Sequence, residues 1–77
     1  MEGLKARVGK YLERAEPLFG NLKKSDGGDA EKIYDMAMRY YSDAKHFYGK
    51  GEYVNALAAL EYAEGWMDAG KGIGLLG

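Results

Sequence analysis

The chain has 77 residues, 11 basic and 12 acidic side chains, no cysteine, one proline and one histidine. At 8.5 kDa it is one domain at most, its apolar burial barely outweighs the cost of chain ordering, and no disulfide or cysteine-based metal site can staple it. A net charge of -1 with both signs interspersed argues against a DNA-binding module, and the longest apolar run, Ala56 to Leu60, falls far short of the ~20 residues that cross a bilayer.

The amino end, Met1-Glu2-Gly3-Leu4-Lys5, has neither an apolar signal core nor a small-residue cleavage site, so a cytoplasmic protein is expected. Leu4, Val8, Tyr11, Leu12, Ala15, Leu18, Phe19 and Leu22 then share one face at helical spacing, which predicts an amphipathic helix over about 2–24. Pro17 should kink it, because its ring collides with the Glu13 carbonyl while the residues beyond stay in phase with those before. The run Ser25-Asp26-Gly27-Gly28-Asp29 reads as a loop, with Asp29 as the N-cap of a second helix over about 30–49. Its stripe is Ile33, Met36, Ala37, Tyr40, Tyr41, Ala44, Phe47 and Tyr48, and Gly49-Lys50-Gly51 supplies a left-handed close.

The link to the third helix, about 52–69, is so short that the two must form an antiparallel hairpin. That helix is apolar over most of its girth: Tyr53, Ala56, Leu57, Leu60, Ala63 and Met67 make one face, with Val54 and Ala58 on one flank and Ala59, Tyr62 and Trp66 on the other. Such a rod needs neighbours on two sides, either the other two helices or one of them and a second chain. Gly70, Gly72 and Gly74 disfavour further helix, leaving Ile73, Leu75 and Leu76 on an apolar tail over 70–77 that should pack on something. No strand alternation is sustained. The expected fold is all-α, a three-helix up-down-up bundle.

The run from Tyr40 to Leu57 contains Ser42-Asp43-Ala44, Phe47 and Lys50-Gly51-Glu52-Tyr53, and Tyr62-Ala63-Glu64-Gly65-Trp66-Met67-Asp68-Ala69 follows it. These residues resemble the small archaeal proteins of domain of unknown function family 357, over roughly the last two thirds of the chain. The resemblance implies a three-helix bundle and an archaeal source, and it implies no activity. Glu52 departs from the shorter Asp that the pattern favours at the helix start.

Three constellations carry candidate chemistry. Asp43 and His46 stand one helical turn apart, a spacing that offers two metal ligands, but one histidine per chain could complete a dimetal site only in a symmetric dimer; the plainer reading is a surface histidine. Arg39 and His46 fit the loose Arg-x(4 to 6)-His pattern of the helical HEPN ribonucleases, where Arg would stabilise a phosphorane and His shuttle the proton, against the alternative of two solvated side chains. Glu61, Glu64 and Asp68 lie on helix three with Asp43 on the facing helix; Glu61 points in an apolar direction between Val54 and Ala58, which predicts a polar cluster of Asp43, Glu61 and Asp68 bonded to the seven tyrosines, or the floor of a small-molecule pocket.

Gly65, costly inside a helix, should lie under a large ring such as Tyr11, Phe19 or Tyr48, or else line a cleft. Tyr62, Trp66, Ile73, Leu75 and Leu76 are the candidate interface residues. The phrase Gly51-x-Tyr53-x-x-Ala56-Leu57 resembles a tetratricopeptide repeat, but it has no second copy. No cofactor motif is present. The leading expectation is a non-enzymatic helical interaction module that pairs with itself or with another helical protein; the alternative is an RNA-binding or phosphodiester-cleaving bundle through Arg39 and His46.

Overall fold

In the computed structural model, which describes residues 3–77, three helices follow one another: α1 Leu4–Gly20, α2 Gly28–Gly49 and α3 Tyr53–Gly72. Among the described residues none is long and apolar enough to cross a membrane. The Tyr48 hydroxyl donates to the Lys5 carbonyl at 3.3 Å while Phe19 stacks on Tyr41 at 4.5 Å. α1 therefore runs antiparallel to α2, and the hairpin returns α3 alongside it, up-down-up. The result is a rod of 43 × 18 × 16 Å.

α1 ends earlier than its stripe suggests. The expected start at residue 2 lies outside the described residues, and at the other end the helix runs through Pro17 and stops at Gly20. A proline in the last turn removes only one ladder bond. The freed chain end is closed by Asn21, whose backbone N–H and side-chain amide both donate to the Pro17 carbonyl, at 3.1 and 2.9 Å. Leu22 thus lies beyond the helix yet is buried, so the expected second helical piece to Lys24 is a turn that still delivers its leucine to the core.

α2 begins two residues before the expected start. Its N-cap is Gly27 at φ 121°, with no side-chain cap, and Asp29 sits inside the first turn with Glu31, where carboxylates interact favourably with the helix dipole. At the far end Gly51 adopts φ 80°, and the N–H groups of Glu52 and Gly51 donate to the carbonyls of Phe47 and Tyr48 at 2.9 and 3.1 Å. This is a Schellman closure, and it turns the chain directly into α3. Glu52 stands at the α3 N-cap without capping it; its carboxylate accepts from the Asn55 amide at 3.4 Å and pairs with Lys50 at 3.4 Å instead.

α3 runs past its expected end, through Gly70 to Gly72. A second Schellman closure stops it: Gly74 takes φ 78°, and the N–H groups of Leu75 and Gly74 donate to Gly70 and Lys71 carbonyls at 2.9 and 3.1 Å. The tail then folds back on the α1–α2 connection. Lys23 and Gly77 exchange backbone bonds of 2.7 and 2.8 Å, and the Ser25 N–H donates to Leu75 at 2.9 Å. Leu76, expected at an interface, is 6% exposed, seated over Gly70 where a Cβ would lie 2.5 Å from its Cδ1. The apolar tail packs on its own bundle.

The core joins Val8, Ala15, Phe19 and Leu22 to Ala37, Tyr41 and Ala44 of α2 and to Ala59, Leu60, Ala63 and Met67 of α3. Its small alanines bring α2 and α3 together along their length, whereas α1 touches each more sparingly. Gly9 is where α1 comes close: a Cβ there would meet the Tyr48 hydroxyl at 2.7 Å.

Candidate functional site

α1 covers one side of the α2/α3 hairpin and leaves the other side open. On α3 the outward positions are Val54, Ala58, Glu61, Tyr62, Gly65 and Ala69, all exposed. Most of that surface is small or apolar, so α3 keeps a greasy exterior where an ordinary surface helix would carry charge. A shallow groove of about 650 Å³ is lined by Ala58, Glu61, Tyr62, Gly65, Trp66 and Ala69. Half-buried Trp66 forms its wall and also borders a second groove, about 400 Å³, with Ile33, Met36, Arg39, Lys32 and Asp35 of α2. Tyr40 on α2 stacks on Tyr62 at 5.3 Å, which ties the two grooves into one continuous aromatic face.

The expected carboxylate network is not what forms. Asp43, Glu61 and Asp68 are all exposed, and among the described residues no polar or charged side chain is buried. Glu61 lies beside Val54 and Ala58, but that sector of α3 faces solvent: all three are exposed, Val54 at 69%. No tyrosine hydroxyl bonds to a carboxylate among the described residues; the Tyr48 hydroxyl bonds to backbone. Gly65 carries no ring either, since a Cβ there would meet nothing within 4 Å. It lines the groove, the second of the two readings its position allows.

One carboxylate is perturbed that the sequence does not single out. Glu64 faces Tyr11, Arg14, Ala15 and Leu18 of α1 across the α1/α3 seam. Partial desolvation there raises its pKa above the ordinary 4.5, and the negative charges of Asp68 and then Glu61 push it the same way. Tyr41, under Lys45 at 4.5 Å, is raised above 10.0 by burial and then by Glu16. Both groups pack at the α1 seams, and Glu61, which also lines the open groove, adds to the shift at Glu64.

Arg39 and His46 are exposed on the same side of α2, two helical turns and so about 10 Å apart along the axis. No hydrogen bond joins them among the described residues: Arg39 borders the Trp66 groove, and the His46 ring tilts against Phe47 at 6.3 Å. Asp43 and His46 gather no third ligand; among the described residues no group of three or more His, Cys, Asp or Glu side chains could hold a metal ion. Of the expected interface set, Tyr62 and Ile73 are 63% and 66% exposed, Trp66 and Leu75 are half-buried, and Leu76 belongs to the core.

The family model for "Protein of unknown function (DUF357)" matches residues 5–76. The chain belongs to the DUF357 family. The match takes in α1, which lies outside the stretch that carries the resemblance in the sequence. Neither the curated proteins nor the solved structures give a match to this DUF357 chain.

Proposed function

We propose that this DUF357 protein is a non-enzymatic helical interaction module whose working surface is the α2/α3 face around Trp66. The observation that carries the reading is the apolar, aromatic-walled groove on the side of the hairpin that α1 leaves open. Solvated helix faces are normally charged, and large contiguous apolar surface on a small domain marks a place where something docks. Tyr and Trp, which bury much area at little entropic cost, are the side chains that dominate association energies. A photo-crosslinking amino acid at position 62, in cells that make the protein naturally, tests the reading against the same probe at Arg7. Discrete higher-mass adducts at 62 and none at 7 support it; equal or absent adducts at both positions sink it.

A further inference from the structure

The open face carries charges as well as rings, and their order along α2 is specific. Lys32, Asp35 and Arg39 border the Trp66 groove, and Asp43 follows one turn beyond Arg39 on the same side. The signs run plus, minus, plus, minus. Read from the other end they run minus, plus, minus, plus, so a second α2 laid antiparallel, with a two-fold axis level with Ala37, meets opposite signs throughout: Lys32 against Asp43 and Asp35 against Arg39. All four are exposed, and among the described residues none is in an ion pair within the chain.

The same axis suits α3. Tyr40 stacks on Tyr62 and Met36 shares a groove with Trp66, so the level of Ala37 on α2 corresponds to that of Gly65 on α3. A two-fold there sets the two Gly65 residues against each other and brings Glu61 of each copy to Ala69 of the other, with Tyr62 and Trp66 flanking the contact. Gly65 and Ala69 are small enough to let the two backbones close. Glu61 lines the groove but falls opposite Ala69 across the axis, and Asp68 falls opposite Tyr62, so the acidic ridge is not forced against itself.

We infer that the occupant of this face is a second copy of the chain, docked antiparallel about a two-fold axis level with Ala37 and Gly65. The inference rests on the interaction-module reading and names its partner. The rod's 43 × 18 Å side is the size of the ~800 Å² that each partner buries in a standard interface. Isologous pairing is also the commonest way for a soluble chain to cover such a patch, because one surface supplies both halves.

Sedimentation equilibrium of the purified full chain at micromolar to sub-millimolar concentration tests it, using a charge swap. The wild type sediments at twice its 8.5 kDa chain mass. Lys32→Asp and Asp43→Lys each place like charges together twice per dimer and weaken association about tenfold or more, and the double variant recovers most of the loss. Circular dichroism confirms that each variant remains folded; Arg7→Glu, exposed on α1, leaves association unchanged. A monomer throughout overturns the inference, and so does a dimer indifferent to both single swaps or one that the double variant fails to rescue. If adducts still form at position 62 on a chain that sediments as a monomer, the interaction module stands and only the second copy falls.

Discussion

Gly65 and Gly70 lie five residues apart on the same helix and face opposite fates. At Gly70 a Cβ would collide with Leu76 at 2.5 Å and with Ile33 at 2.9 Å, so the chain's own packing demands the absence of a side chain. At Gly65 the same Cβ would meet nothing. Helical glycine costs about 1 kcal/mol relative to alanine wherever it stands. At Gly70 the seated leucine offsets that cost within the chain; at Gly65 nothing within the chain does. The difference separates a surface already satisfied from one that is open.

The comparison is sharpest at Leu76. Replacing it with Ala empties the seat over Gly70, and a loss of about 2–4 kcal/mol is expected in urea unfolding, a large share of the roughly 4–12 kcal/mol total for a domain this size. Gly70→Val fills the seat from the other side and evicts the leucine, for a loss of about 1–3 kcal/mol. Faster amide exchange at Lys23, Ser25 and Gly77, whose backbone bonds hold the tail, distinguishes eviction from general unfolding. Gly65→Ala should move the opposite way, raising stability by about 0.5–1 kcal/mol because it restricts the unfolded chain without a clash. Should it destabilise the isolated chain as Gly70→Val does, the contrast between the two glycines is broken.

The smallest expected effect is at Glu64. Its folded pKa is raised above the unfolded value of 4.5, so the folded state holds the proton more tightly. That contribution to stability is complete below the unfolded value and is lost as pH rises through the folded one. Glu64→Gln removes the dependence. Melting curves from acidic to neutral pH should show the variant gaining slightly on the wild type as pH increases, and an unchanged difference across that range would rule out the seam as the cause.

The helices were legible because their stripes are long and in phase, and the hairpin because Gly51 allows only a tight close. Two things were hidden. The end of α1 depended on Asn21 reaching back to the Pro17 carbonyl, and the seat of Leu76 depended on residues some fifty positions away; neither leaves a periodic mark. The sidedness of α3 was hidden for a different reason. When alanine, glycine and tyrosine surround a helix, the pattern does not say which sector faces inward, and Glu61 was therefore expected in the core when Val54 and Ala58 beside it face water. Tyr62 and Trp66 were legible as aromatic flank residues. The charge order of Lys32, Asp35, Arg39 and Asp43 acquires meaning only once α3 shows which side of α2 is open.

The pairing of residues 23–25 with 74–77 also bears on the order of assembly. Helix α2 and its neighbour α3 meet through a local turn, so their hairpin closes a short loop and can form early. Joining the tail to the first interhelical link closes a loop of about fifty residues, and the entropy of that closure falls due before any contact rewards it. The latch should therefore be last to fasten and first to release, making the tail amides the earliest reporters when the bundle begins to come apart.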